Sequence, residues 1–422
     1  MTEPRPAALG NRAVLRIAEF RKLFVAQAIS DVGDGMTFMA LFFLVNALTH
    51  SPAVLAGLSI AVAVPSMVGG ILAGAVADRF DRRRIMILSD SLRAVLVLGF
   101  VVAGTLERLP LLFVLAFVQA TIGTLFTPAR GALIPRVVPA EGLMAANGLG
   151  QMGRMIASLL GATVTGVMFA ATGQAWPVFI IDAATFLASV AIVSRVDARL
   201  GAPVAEAHAV DTGFAASVGA GLRVIASSRV LVATVTGLSF AMLGLGAVNI
   251  LFVPFLVDVL HATPAWAGPI EGAQTLSMVL AAGMIGVIAA RLSPQAIIVG
   301  AIGGISILIL SLSVAPNVWF LLILLFLAGW LVTPLQAATQ TIMQTATTDS
   351  VRGRVLGAVN AATSTTTIVS TAAAGVFASV IGVRQVMFAG GLVCVGAAVL
   401  TGFLFWLDRR SVATVPARAV EA

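Results

Sequence analysis

Long apolar segments alternate along the chain with short polar connections. A segment of roughly 20 apolar residues spans about 30 Å of hydrocarbon as an α-helix, and twelve segments reach this length. They are helix-length rather than the alternating short strands of a membrane barrel, and lipid-exposed backbone of any other form would leave its polar groups unpaired. The pattern therefore predicts an all-α membrane protein. The predicted spans lie near residues 23–48, 53–77, 85–105, 110–128, 144–171, 176–194, 229–257, 264–290, 295–314, 317–336, 354–381 and 385–407.

The spans form two groups of six, separated by the longest polar stretch, near 195–228. The two groups resemble each other: GAVADRFDRRRIM at 74–86 aligns with GVIAARLSPQAII at 286–298. A Thr-Pro pair at 127–128, near the end of the fourth span, recurs at 333–334, near the end of the tenth. Matches in the same order indicate a duplicated six-helix unit, which is typical of transporters with a site near the bilayer midplane. The predicted parts are a cytoplasmic N-terminal segment 1–22, a six-helix bundle 23–195, a cytoplasmic linker 196–228, a second six-helix bundle 229–407 and a cytoplasmic tail 408–422.

Composition and charge support this interpretation. Hydrophobic residues make up 59% of the chain and charged residues only 10%, whereas soluble domains carry about 25% charged residues. With the N-terminus inside, Arg108 and Arg384 are the only basic residues in the external loops, so the positive-inside rule predicts that both termini are cytoplasmic. This distribution explains the net charge of +7 without nucleic acid.

Other classes of function lack the residues they need. The one cysteine, Cys394, cannot form a disulfide within the chain, and the three histidines are too far apart in sequence for a metal site. GLGQMG at 148–153 matches a dinucleotide-binding pattern, but it lies in a predicted span without the preceding strand that such a site requires. No phosphate-binding loop with its lysine is present. We therefore expect that the protein is not an enzyme and holds no cofactor. We expect the proton gradient to be its energy source.

Several segments resemble a known family. GAVADRFDRRR at 74–84 is similar to the loop between helices two and three of the major facilitator superfamily. FTPARGALIPRVVPAEGLMAANGL at 126–149 and RGRVLGAVNA at 352–361 resemble the branch that contains macrolide-efflux proteins and the enterobactin exporter. The resemblance implies the major facilitator fold and drug efflux. One departure is Ala162, which stands where drug antiporters often have proline in helix five.

The resemblance also implies a cytoplasmic gate. In the family, the loop between helices two and three locks the cytoplasmic ends of the halves when the cavity faces outward. Asp90 and Arg93, three residues apart in the third span, form a local ion pair, or Arg93 joins the gate network. The loop residues that match the family pattern are Gly74, Asp78, Arg79, Arg82 and Arg83.

Ionisable side chains inside the hydrocarbon are costly, so each is a candidate functional residue by default. Acids outnumber bases among them, and uncompensated carboxylates in a low dielectric favour the protonated form, so they can exchange protons. An acidic site also favours cationic substrates. The acids are Asp31, Asp34, Asp90, Asp182 and Glu271, and the bases are Arg93 and Arg154.

Asp34 is the leading candidate for a proton or cation site. Asp31 lies three residues before it on the same face of the first span. At about 1.5 Å per residue, Asp34 lies about 16 Å from the predicted cytoplasmic end, near the midplane. The alternative is a carboxylate bonded to a neighbouring helix, which Gly33 and Gly35 would allow to approach closely.

The remaining intramembrane charges leave alternatives open. Arg154, near the middle of the fifth span, pairs with an acid of the first span or contacts an anionic group of the substrate. Glu271, about two turns into the eighth span, has no evident partner and is a candidate for coupling or substrate binding. Asp182 lies in the sixth span, where a structural role is expected.

These observations predict a secondary transporter that exports amphipathic small molecules, such as drugs or siderophore-like compounds, by proton-coupled alternating access. A lipid or lysolipid translocator of the same fold is the alternative. A membrane receptor or assembly factor without transport is less favoured because the polar regions are short. The expected partners are a small amphipathic substrate and the lipid bilayer, and no nucleic acid. The expected form is a monomer in the bacterial plasma (inner) membrane.

Overall fold

The computed structural model describes residues 9–201 and 214–413, and within these the side chains of 66–79, 214–217, 349–350, 352 and 409–413 are not described. The described residues form helices joined by short turns, and no strand occurs among them. The long helices are α2 (Ala18–Thr49), α3 (Pro52–Arg79), α4 (Arg82–Thr105), α5 (Leu109–Val137), α6 (Leu143–Thr172), α7 (Trp176–Val193), α10 (Arg229–Pro254), α11 (Ala267–Arg291), α12 (Pro294–Ser313), α13 (Val318–Thr345), α14 (Asp349–Ile381) and α15 (Val383–Ala413). The shorter helices are α1 (Asn11–Arg16), α8 (Ala198–Gly201) and α9 (Phe214–Ser227).

Each long helix coincides with one predicted span. Eleven of them, among the described residues, are long and apolar enough to cross a membrane. The twelfth, α3, has 28 residues, and the part of it with described side chains, Pro52–Pro65, is apolar. The prediction of an all-α membrane protein is therefore confirmed.

Two spans were predicted too short at their C-terminal ends. The fourth and tenth spans were expected to end close after the Thr-Pro pairs, but α5 continues to Val137 and α13 to Thr345. Pro128 and Pro334 lie inside these helices. A membrane helix tolerates proline because neighbouring helices and local adjustment satisfy the freed carbonyls. The Thr-Pro pairs therefore do not mark helix ends, and Arg130 lies within α5.

The predicted polar segments also contain helices. The N-terminal segment includes α1, and the predicted linker includes α8 and α9. The middle of that linker, 202–213, lies outside the described residues. The predicted tail begins within α15, which continues to Ala413.

The chain divides into two compact units. The first consists of Met1–His50, Leu58–Ala209 and Thr263–Glu271, and the second of Ser51–Gly57, Val210–Ala262 and Gly272–Ala422. All the intramembrane charges predicted from the sequence belong to the first unit. Within the second unit, small residues allow close contacts, and a methyl group at Gly244 would lie 2.6 Å from the carbonyl oxygen of Gly390.

Cysteine labelling should establish the orientation. Cys394 is fully buried, so the natural chain is expected to remain unlabelled by an impermeant maleimide. In intact cells, Gln174→Cys should label and Arg84→Cys should not, because the positive-inside rule places the arginine-rich turn before α4 in the cytoplasm. Both positions are exposed, and opening the cells should allow both to label. Equal labelling of the two in intact cells would contradict the predicted topology.

Candidate functional site

Arg93 on α4 lies at the centre of a group of charges in the first unit. It is ion-paired with Asp34 of α2, and its Nη1 lies 3.6 Å from Oδ1 of Asp90 on the same helix. A methyl group at Gly123 of α5 would lie 3.6 Å from the guanidinium carbon, so this glycine leaves room for the head group. The guanidinium also lies 4.3 Å from the ring centre of Phe186 on α7, as in a cation–π contact. The ion pair expected from the spacing of Asp90 and Arg93 is confirmed, and Asp34 is added to it.

Hydroxyl groups donate to the two deeper carboxylates, although Oδ1 of Asp90 has no hydrogen-bond partner. Asp90 and Asp182 are both 0% exposed. Ser189 donates to Oδ2 of Asp90 over 2.6 Å, and Thr37 donates to Oδ2 of Asp182 over 2.5 Å. Thr185 donates to Oδ1 of Asp182 over 3.0 Å. Buried charges need such donors, and these bonds tie α7 to α2 and α4.

Glycines bring the surrounding helices close to α2. A methyl group at Gly33 would collide with the Asp182 carboxylate of α7. A methyl group at Gly161 of α6 would lie 2.7 Å from the carbonyl carbon of Gly35. The close approach expected at both glycines of α2 is therefore confirmed, and Asp34 is bonded to a neighbouring helix, α4, through Arg93, as the alternative for this residue expected.

A cavity of about 630 Å³ opens beside this network. The Asp34 side chain lines it and is 36% exposed, whereas the Arg93 side chain, which also lines it, is 9% exposed. Asp34 is therefore the member of the network that water or a ligand reaches most easily. The volume lies within the range of about 300–1,000 Å³ typical of small-molecule sites. Further lining side chains are the polar Gln27, Ser30, Asp31, Thr37 and Gln119 and the aromatic Phe38, Phe100 and Phe126.

Asp31 has a different environment from Asp34. Nε2 of Gln27 donates to both carboxylate oxygens of Asp31, over 3.1 and 3.2 Å. The charges of Arg130 and Arg154 also act on Asp31. However, Arg154 donates to Oε1 of Gln151 over 2.5 Å and, among the described residues, forms no ion pair with Asp31 or Asp34. The predicted pairing of Arg154 with an acid of α2 is wrong, because Gln27 and Arg93 are the partners of those acids.

No partner for Glu271 was evident from the sequence, and the structure supplies one. Ser158 of α6 donates to Oε1 of Glu271 over 3.2 Å. The start of α11 runs along α6 here, and a methyl group at Gly268 would lie 2.6 Å from Cα of Thr163. The partner could not be predicted because it lies 113 residues away in sequence.

Arg130 is the residue that the sequence analysis missed. It was assigned to a cytoplasmic loop because the fourth span was ended at Pro128. In the structure it is 6% exposed, and its Nε has no hydrogen-bond partner. The signal that could have identified it is the apolar stretch 132–134 that resumes after this arginine, because a single ionisable residue can lie within a membrane helix.

The predicted gate is described only in part. The side chains of Gly74, Asp78 and Arg79 lie outside the described residues. Arg82 is buried, and Arg83 donates to backbone carbonyls at the end of α7, where C-terminal carbonyls lack helical partners. The gate role of this loop stays a prediction.

The network can convert an ion pair into a protonated acid. Two carboxylates, Asp34 and Asp90, are ion-paired with one guanidinium, so neutralisation of one of them leaves Arg93 paired with the other. Asp34 is the more exposed of the two, with 36% of its side chain accessible against 1% for Asp90. Among the described residues, no group of histidine, cysteine and acidic side chains has the arrangement needed to hold a metal ion.

Membrane-length helices around a cavity with a buried ionisable network define a polytopic membrane transporter of the major facilitator fold. The sequence profile of the family described as "Transmembrane secretion effector" matches residues 10–418. The protein belongs to this family, in the enterobactin-exporter-like branch of the major facilitator superfamily. It is a multi-pass protein of the bacterial inner membrane.

Individual relatives agree with this assignment. The MFS-type transporter YfiS of Bacillus subtilis (strain 168) is 27% identical over 406 residues, which cover 93% of this chain and 95% of YfiS. The enterobactin exporter EntS of Citrobacter koseri is 27% identical over 342 residues, 80% of each chain. The crystal structure of the nucleoside transporter NupG has a TM-score of 0.74 at 13% identity and covers 92% of this chain and 99% of NupG. The last comparison shows the fold alone.

Proposed function

We propose that the protein is a proton-coupled secondary transporter that exports amphipathic small molecules by alternating access. The observation that carries the proposal is the sharing of Arg93 among carboxylates of which one, Asp34, opens into a cavity. Export is supported by the similarity to EntS, which is named an enterobactin exporter. The aromatic side chains Phe38, Phe100 and Phe126 in the cavity wall suit an amphipathic substrate.

Coupling follows from the competition of the acids for one arginine. Unprotonated Asp34 holds the guanidinium toward the cavity. A proton on Asp34 removes that attraction. Arg93 then stays ion-paired with Asp90, whose Oδ1 lies 3.6 Å from Nη1 of Arg93. Because α2 and α4 carry the two partners, loss of the pair weakens one contact between these helices. A change of about 1.4 kcal/mol in such a contact alters the ratio of two conformations tenfold.

Transport into everted membrane vesicles tests the proposal. A panel of fluorescent amphipathic dyes should accumulate when a proton gradient is imposed, and an ionophore that collapses the gradient should abolish the accumulation. Vesicles without the protein give the background. Accumulation of every transported dye at the same rate with and without the ionophore would refute proton coupling. A fluorescent lysolipid that moves regardless of the gradient would favour the lipid translocator instead.

A further inference from the structure

Arg130 of α5 is a buried arginine that forms no ion pair with a described side chain. It is 6% exposed, its Nε makes no hydrogen bond, and no ion pair joins it to a carboxylate whose side chain the structure describes. A buried guanidinium without an anion is costly, so such a group normally has a carboxylate or a ligand beside it. The position therefore indicates an anion that the described part of the chain does not supply.

A second arginine lies one helical turn away. A methyl group at Gly150 of α6 would lie 2.9 Å from Nη2 of Arg130, so the Arg130 head group lies against α6 at this residue. Arg154 follows Gly150 by four residues and lies on the same face, about 6 Å further along the axis. Arg154 is exposed, and it donates a hydrogen bond to the neutral amide of Gln151. Two guanidinium groups thus occupy neighbouring turns of one face.

One carboxylate near the two arginines does not neutralise them. Asp31 is influenced by the charges of Arg130 and Arg154, but its oxygens are held by Gln27. With Asp31 ionised, the three side chains carry a net charge of +1. The Arg93 network, which includes Asp34 and Asp90, has the opposite balance, with an excess of acids. The first unit therefore contains an acidic network and, beside it, a basic site.

We infer that Arg130 and Arg154 bind the acidic group of an amphipathic ligand, a carboxylate or a group of similar charge, and that the exported molecules are organic anions. This inference rests on the proposed export function and specifies its substrate class. Guanidinium forks bind such groups through paired hydrogen bonds. The apolar part of the ligand then lies toward the cavity wall, since Phe126 and Thr127 on the preceding turn of α5 line that cavity. The inference replaces the expectation that the acidic residues select cationic substrates.

Ligand binding in nanodiscs of phosphatidylcholine tests the site directly. The probes are dansylglycine, which carries a carboxylate, and dansylglycinamide, which has the same skeleton without the charge. The purified protein should bind the acid at least about tenfold more tightly, as expected for a charge-assisted hydrogen bond worth about 1.5–3 kcal/mol. Equal binding of the two probes would overturn the inference.

Variants separate the two arginines from a general loss of structure. Arg154→Gln, at an exposed position, should reduce binding of the acid to the level of the amide and leave the amide unaffected. Arg154→Lys should keep part of the preference, because it retains the charge without the fork. Arg108→Gln, in a loop at the other end of α5, is the matched control and should behave as the natural protein. A preference that survives in both Arg154→Gln and Arg130→Gln would overturn the inference.

Two further measurements identify the source of the anion and distinguish a failure of the anion site from a failure of the proposed export function. Phosphatidylglycerol added to the nanodiscs should compete with the acid if a lipid head group occupies the site, and should not if the site serves the exported molecule; either result retains the arginine site. In everted vesicles, ionophore-insensitive movement of both probes would contradict the proposed function and leave the binding result standing. Gradient-driven transport of both probes, slowed equally by Arg154→Gln, would retain the proposed function and overturn the anion preference.

Discussion

Arg93→Gln should lower the free energy of unfolding by about 3–5 kcal/mol, the range measured when one partner of a buried ion pair is removed. The substitution leaves Asp90, which is 0% exposed, without its ion-pair partner, and it removes a positive charge that acts on the equally buried Asp182. The loss should shrink as the pH falls, because protonation removes the uncompensated charges. Unfolding of the purified protein in mixed micelles, followed by titration with a denaturing detergent at two pH values, measures both effects.

Two comparisons make this expectation specific. Arg108→Gln removes an exposed arginine from a loop and should change stability by less than about 0.5 kcal/mol, as is usual for surface positions. The double variant Arg93→Gln with Asp90→Asn should recover part of the loss, since it removes a charge together with its partner. A loss no larger than that of Arg108→Gln would show that Arg93 does not compensate the buried acids.

Asp34→Asn should abolish the response of transport to the proton gradient. Asparagine has nearly the same shape and still accepts a hydrogen bond from Arg93, but it cannot gain or lose a proton. The ionophore-sensitive part of dye accumulation in everted vesicles should fall at least about tenfold, the effect of about 1.4 kcal/mol of lost coupling. The rate in the variant should also lose its dependence on pH.

The controls for this second prediction use other carboxylates. Glu107→Gln, at an exposed loop position, should leave the gradient response unchanged. Asp34→Glu retains a titratable group and should keep part of the response. Full ionophore sensitivity in Asp34→Asn would exclude Asp34 as the coupling residue and direct attention to Asp31, which lines the same cavity.

Much of the fold was predictable because the bilayer leaves few alternatives. Apolar length and backbone hydrogen bonding impose helices, so each predicted span corresponds to a helix. The errors fall where polar residues interrupt an apolar run before the helix ends. Pro128 and Pro334 were taken to stand near the ends of spans, yet α5 and α13 continue to Val137 and Thr345. That error placed Arg130 outside the predicted fourth span, so it was not considered as an intramembrane charge.

The candidate site was predictable only as a set of residue types. Burial cost identifies Asp34, Arg93 and Asp182 as candidates from the sequence, since each is ionisable and lies in an apolar span. Their partners were not predictable. Arg93 pairs with Asp34, which lies 59 residues away in sequence. Asp182 accepts a hydrogen bond from Thr37, which lies 145 residues away. Only local pairs such as Asp90 with Arg93, on adjacent turns of one helix, follow from spacing.

The sequence by itself determined that the protein lies in a bilayer, how many helices span it and which intramembrane residues are ionisable. These properties depend on composition and on the length of apolar segments. Only the tertiary structure decided which of these ionisable side chains contact each other. It assigned Arg93 to a shared acidic network, gave Glu271 a serine as its partner, and left Arg130 and Arg154 beside a single acid. The reason is physical: helix packing, set at contacts such as Gly35 with Gly161, determines which side chains converge, and that information is distributed over residues far apart in the chain.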